Sequence, residues 1–314
     1  MKGRSARPTA CPPRPAADTL PGDASPAMPI FPFRPSASRR STPAFPQKML
    51  DTVFEHVLLD DVPHPDTPLP EDVLPACEKT EIRDGYNLCW QLLEHGVDRK
   101  AFRRLILKIA LSGTASKDEQ LAFKYARAKF KHMRFACANF TRQHRYPLLL
   151  HVVTIIMGNM QDAFKNHQRR ATLINGLILW VVLSPVYYWL IAAPIALWKE
   201  DSTAGIIAYQ KKENARLAKL IRTLDATTGH EFHVMRKIIS RRVAFNDTLR
   251  TIRPSRGLDQ LSEYLATING MMGDFHDGLI EKKLEGTQDY RRDRFQSPEG
   301  IPQRIRAFLE RSPH

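Results

Sequence analysis

The sequence predicts an all-α protein. Three observations carry that: apolar residues recur at helical spacing along most of the chain, no stretch alternates with period two, and a basic helix followed by a glycine-containing helix is given twice. Residues 1–47 stand apart. They hold 11 of the 23 prolines, with many Ser, Ala and Arg and no apolar period. Such a composition buries too little surface to offset the entropy of ordering, so a disordered tail is expected. Its Arg-rich, acid-poor character also suits a transit peptide, and Met28 and Met49 offer alternative starts.

Residues 48–83 are expected to be an acidic linker with a short helix around Met49, Val53, Phe54, Val57 and Leu58. Nine carboxylates and one lysine lie between Asp51 and Glu81. A solvated linker is the plain expectation; the sharper one is a segment that folds back on the basic surface and competes there with a ligand. Residues 84–112 give two helices broken at His95-Gly96. Further helices are expected over 121–140, 147–168, 204–224, 229–252 and 258–284, with Pro147 suited to a first turn. Residues 286–314 are expected to be a C-terminal tail.

Composition bounds the chemistry. The 314 residues carry a formal charge of +14 and are 43% hydrophobic, so the chain can bury a core and calls for an acidic partner. Cys11, Cys77, Cys89 and Cys137 are widely spaced, which excludes a disulfide framework and a zinc signature and points to a reducing, cytoplasmic setting. There is no nucleophile elbow, Walker loop or dinucleotide fingerprint, so no enzyme is expected. His230-Glu231-x-His233 lacks the spacing that sets two histidines on one helix face for zinc, and no acidic or histidine cluster completes a shell around His276, Asp277 and Asp274; neither metal nor cofactor is expected. Cys137, beside Phe135, belongs to an apolar face.

The repeat carries the functional argument. Lys124, Arg127, Lys131 and Arg134 share one face of the first basic helix, with His132 off that stripe. From Lys124 to Arg145 there are seven Lys/Arg and no carboxylate. A helix face that merely meets solvent normally interleaves both signs, so something outside this helix must neutralise it. In the second copy His233, Arg236, Lys237 and Arg241 share a face. Each basic helix is followed by Met-Gly-x-x-x-Asp: Gly158 with Asp162, then Gly273 with Asp277. A glycine inside a helix costs about 1 kcal/mol against alanine, so two in the same place suggest close helix contact, with each Asp one turn away to pair with the basic stripe.

These residues resemble the CHAD domain (conserved histidine α-helical domain) over roughly 115–285. The second half matches through His233, Arg236, Lys237, Gly273, His276 and Asp277, and the first through Arg127, Lys131, His132, Arg134, Gly158 and Asp162. Lys124 stands where the first histidine is expected, Ser240 and Val243 replace basic residues, and Gln161 replaces Arg or His. The resemblance implies two helical bundles related by a pseudo-twofold axis, and a basic groove that binds inorganic polyphosphate. Physical chemistry favours the same ligand class: a polymer without base edges is held by charge density and many N–H donors. Few aromatics interleave with the stripes, which argues against stacked RNA bases.

Residues 173–198 form 26 uncharged residues, LINGLILWVVLSPVYYWLIAAPIALW, preceded by Arg169-Arg170. The length suits a transmembrane helix. A single span would part the two basic helices, giving an integral membrane protein whose juxtamembrane helices touch anionic lipid. Pro185 divides the segment, so an apolar helical hairpin inserted in the bundle is the favoured expectation, one that meets a membrane, granule or other hydrophobic surface, or a second copy of the chain.

Overall fold

In a computed structural model of the chain, residues 44–222 and 226–312 are described. Most of the expected tail, and Cys11, lie outside them. The described chain is helical apart from one pair of two-residue strands. Helix α1 (Gln47–Leu58) precedes α2 (Lys79–Gly96) and α3 (Arg99–Ser112), which break where His95-Gly96 predicts. Asp98 caps α3 by accepting from Ala101 N, and Gly113 closes it at φ 73°. Then come α4 (Lys117–Phe140) and α5 (Leu148–Lys165), the first basic helix and its glycine helix. The start of α4, four residues earlier than expected, is a capping box of Ser116 and Glu119, a signal present in the sequence.

The apolar segment forms α6 (Arg169–Val182) and α7 (Pro185–Leu197), bent by 73° at the break. Two corrections follow. No single described helix is long and apolar enough to cross a membrane. The pair is an elbow rather than a hairpin, because Pro185 takes the first helical position and the chain turns only through Leu183-Ser184. Leu179, Leu183, Tyr188, Ile191 and Ile195 of this pair are built into the first core. Gly176 lets α6 approach α3, since a Cβ there would meet the Ala110 methyl at 2.5 Å.

Helix α8 (Thr203–Ile221) leads to strand β1 (Thr227–Thr228), then α9 (Gly229–Ile252), α10 (Arg256–Leu284), strand β2 (Arg294–Phe295) and α11 (Gly300–Arg311). β1 and β2 pair antiparallel. The described helices enclose two main cores. One is formed by α2 to α7 with Phe245 and Leu249 of α9. The other is formed by α8 to α11, around Phe232, Met235, Ile239, Leu265 and Met272.

Two segments expected to be free are fixed. Phe45 N donates to Gln91 Oε1 at 2.9 Å, and α1 packs on α2 through Leu50, Val53, Leu88 and Leu92, so Phe45 and α1 are held on the bundle. The acidic stretch after α1 is a strap across α10: His64 N donates to Thr267 Oγ1 at 2.7 Å, Thr67 Oγ1 to Glu263 Oε2 at 2.9 Å, and Val73 enters the second core. The expected C-terminal tail is overturned by α11, whose Ile301, Ile305, Phe308 and Leu309 bury in that same core. Apolar residues at i, i+4, i+7 and i+8 there are amphipathic spacing, legible but short.

A buried aromatic deletion costs about 3–5 kcal/mol. Phe308→Ala should therefore lower the urea unfolding free energy by that amount, whereas a true tail residue would leave it unchanged.

Candidate anion-binding cleft

The two basic helices come together because α4 and α9 cross in a symmetric way. His132 Nε2 lies 3.0 Å from Thr248 Oγ1, and Asn139 Nδ2 donates to the Arg241 carbonyl at 2.9 Å. The sequence displacement that carries Arg127 onto Arg236 also carries His132 onto Arg241 and Asn139 onto Thr248. The two contacts are therefore mates under one pseudo-twofold axis, and Phe140 meets Phe245 beside it at 5.2 Å.

Each glycine helix shelters one guanidinium. A Cβ on Gly158 would stand 3.2 Å from Arg127 Nη2, and one on Gly273 would stand 3.0 Å from Arg236 Nη2. The glycines thus give close approach between an arginine and the neighbouring helix, in both halves. Asp162 and Asp277 flank these arginines; Arg236 Nη1 lies 4.0 Å from Asp277 Oδ1, at the limit of an ion pair. Arg127 donates to Gln161 Oε1 at 3.4 Å.

The cations then act on each other. Burial, first, and the neighbouring Arg236 hold the Arg127 pKa below its usual value. Burial, Arg127 and Arg241 do the same to Arg134, and burial, Arg134 and Arg241 to Lys237. Among the described residues, no carboxylate forms an ion pair with Arg127, Arg134 or Lys237. Arg134 instead donates to Thr154 Oγ1 at 2.7 Å, meets His151 Nδ1 at 3.3 Å and stacks on Tyr146 at 4.9 Å, while its Nε is buried without a partner.

At the other end the His233 ring stacks on His276 at 5.1 Å, and His276 Nε2 lies 2.8 Å from the Tyr290 hydroxyl. Burial, Lys237 and His276 push the His233 pKa down to about 3, so it is neutral near pH 7. Its Nδ1 is buried without a partner. At the rim, Lys124 is exposed and Lys131 pairs with Asp60 at 3.0 Å. Asp60 comes from the strap, held there by Asn269 Nδ2 donating to its carbonyl at 2.8 Å. Next to it Asp61, its pKa raised by burial, also senses Lys131, Lys124 and Arg236.

The predicted set thus divides. Lys124, Arg127, Lys131, Arg134, His233, Arg236 and Lys237 gather about the cleft, with Gly158, Asp162, Gly273 and Asp277 beside them. His132 does not belong: it is 4% exposed and hydrogen-bonded at the helix crossing. Arg241 shares the basic face yet is closed off by Glu213 of α8 and by the Tyr146 hydroxyl. The causes differ: the face of α4 that carries His132 is filled by α9, whereas Arg241 is covered by α8 and Tyr146. His151, Tyr146, His276, Tyr290 and Asp60 join the site without being singled out as site residues from sequence, since they lie outside the basic stripes. Among the described residues no three His, Cys, Asp or Glu side chains gather to hold a metal ion. Cys77 and Cys89 are buried thiols pushed up to about 12 by desolvation, and Cys137 is buried beneath Tyr86.

No family model, curated protein or solved structure matches the chain.

The helix crossing should be acid-sensitive. Burial lowers the His132 pKa from 6.5 to about 4, so the folded ring stays neutral while the unfolded one protonates. The stability this ring confers is whole above the unfolded value and lost as pH falls from 6.5 toward 4, by about 3 kcal/mol at most. Urea unfolding across that window should show the loss, with a smaller slope in His132→Gln; an identical slope would remove His132 as a cause.

Proposed function

We propose that this chain is a binding protein, without turnover, whose cleft takes a linear polyanion, inorganic polyphosphate. One observation carries the proposal: Arg127 and Arg236, each laid on a helix glycine, stand among Arg134 and Lys237 in a setting where burial and like charge penalise the charged forms of Arg127, Arg134 and Lys237. Proteins seldom hold such a cluster unless an anion relieves it. Arginine forks and lysine point charges suit phosphate oxygens, and arginine stays charged despite desolvation. A chain of phosphates could follow the rim from Lys124 and Lys131 and cross to the side of Lys237. The resemblance to the CHAD family, through the same arginines, glycines and aspartates, favours polyphosphate over nucleic acid.

Two kinds of variant separate binding from folding. Arg127→Glu with Arg236→Glu should weaken binding of long-chain polyphosphate by about 100-fold or more, since a charge-assisted contact contributes about 1.5–3 kcal/mol. Fluorescence anisotropy with labelled polymer reads this, and wild-type affinity should fall steeply with salt. Unchanged affinity in the double variant would overturn the proposal. Arg241→Glu, by contrast, should chiefly destabilise the fold, because it opposes buried Glu213.

Gly158→Ala and Gly273→Ala should fold as well as wild type, or better by up to about 1 kcal/mol, from helix propensity. The added methyls displace the guanidinium ends, so affinity should drop while thermal stability holds. Asp60→Asn removes the strap's counter-charge on Lys131 and should raise affinity by a few-fold; a loss of affinity would mean that the strap supports the site instead of competing with the ligand.

A further inference from the structure

Among the described residues, fourteen of the seventeen large hydrophobic side chains left exposed fall between Leu148 and Leu197. Scattered exposure is ordinary; concentration in three consecutive helices is a patch. Helix α6 shows its form. Thr172, Gly176 and Leu179 face the core, while Ile174, Leu177, Ile178 and Val181 make an apolar stripe on the opposite side. The three-residue connection Asn166–Gln168 sets α6 antiparallel to α5, whose Leu148, Val152 and Ile155 form a second exposed stripe. Beyond the elbow, Trp189 of α7 is 54% exposed and Val186 is 69% exposed.

The charges around this patch are mostly basic; a carboxylate beside it, Glu94, accepts from the Tyr188 hydroxyl at 2.6 Å. Arg169 and Arg170 open α6. At its far end Arg103 lies over the Trp180 ring at 4.6 Å and donates from Nε to the Trp180 carbonyl at 2.9 Å, and Arg99 lies over Tyr188 at 4.1 Å. Between Arg99 and Lys117 there is no acidic residue, and between Leu148 and Leu197 there is one, Asp162. An apolar strip with cations at both ends and Trp and Tyr beside them complements an anionic bilayer surface: acyl chains meet the strip, headgroups meet the arginines, and indoles sit between. A protein partner would be expected to bring acidic groups against an uncharged centre, which this patch does not demand.

Spanning is a poor fit to the same residues. At 1.5 Å per residue α6 and α7 are each about 20 Å long, short of a hydrocarbon core of about 30 Å. They are bent by 73°, and one face of each is committed to the first core. We propose that α5, α6 and α7 form a monotopic docking face that lies in the surface of an anionic lipid bilayer, with Ile174, Ile178, Val181 and Trp189 immersed and Arg99, Arg103, Arg169 and Arg170 among the headgroups. The inference does not depend on what the cleft binds.

The test uses the full chain and vesicles of phosphatidylcholine with or without phosphatidylglycerol. Wild type should co-sediment with the anionic vesicles only, and shallow-brominated lipid should quench its tryptophan fluorescence, less so in Trp189→Phe. Ile174→Glu with Val181→Glu should cost at least about tenfold in vesicle affinity, and Arg169→Glu with Arg170→Glu about fivefold or more. Both pairs are exposed, so circular dichroism should be unchanged, and polyphosphate binding should persist, which separates this face from the cleft. Absence of binding to anionic vesicles, including through a concentration-dependent dimer that hides the patch, overturns the proposal. So does binding that survives Ile174→Glu with Val181→Glu, or binding lost in Arg127→Glu with Arg236→Glu alone, since lipid would then be held by the cleft.

Discussion

The organisation of this protein depends on the crossing of α4 and α9. Two polar contacts related by one pseudo-twofold axis, His132 with Thr248 and Asn139 with the Arg241 carbonyl, fix it. Phe140 on Phe245 seals it from water. Each hydrogen bond contributes only about 1 kcal/mol, but leaving its buried donors unpaired would cost more, so the register is specified more strongly than the net energy suggests. With that register fixed, side chains on the flanking faces have nowhere to go but toward each other. The cationic cleft is a consequence.

Concentrating cations this way is costly in the absence of an anion. The lowered pKa values of Arg127, Arg134 and Lys237 express the cost, with burial as the first cause in each and like charge acting in the same direction. The fold answers it in part. Asp162 and Asp277 stand near the two glycine-backed arginines, and Asp60 reaches Lys131 from the strap. Arg241 shows the complete answer: with Glu213 and Tyr146 beside it, it becomes a structural ion pair. The difference between Arg241 and Arg134 is one carboxylate, contributed by α8 to the first and by no described helix to the second.

A second imbalance lies elsewhere on the molecule. Helices α6 and α7 donate one face to the first core and leave the other apolar. Soluble helices usually turn a polar face outward, and α8 and α11 do so within the second bundle. The elbow after Val182 keeps the two helices on one side of the bundle, so α4 and α9 remain packed on each other, as a single span would not allow.

By itself, the sequence determined helix type, most helix limits and the repeat. Those signals are local: capping boxes at Ser116 and Thr228, the break at Gly96, the 3.6-residue spacing of apolar and basic positions, and Met-Gly-x-x-x-Asp twice. The glycines read as sites of close approach, and their partners prove to be arginine side chains. Tertiary structure alone decided which cations remain open. His132 and Arg241 lie on the same basic helices as Arg127 and Arg236; the crossing buries the first, and Glu213 of α8 pairs the second. It also decided that residues 59–77 are a strap, because its anchors Thr267 and Asn269 lie about 200 residues away along the chain and were invisible to any local period. Periodicity reports which face of a helix is apolar or charged; it does not report what that face meets.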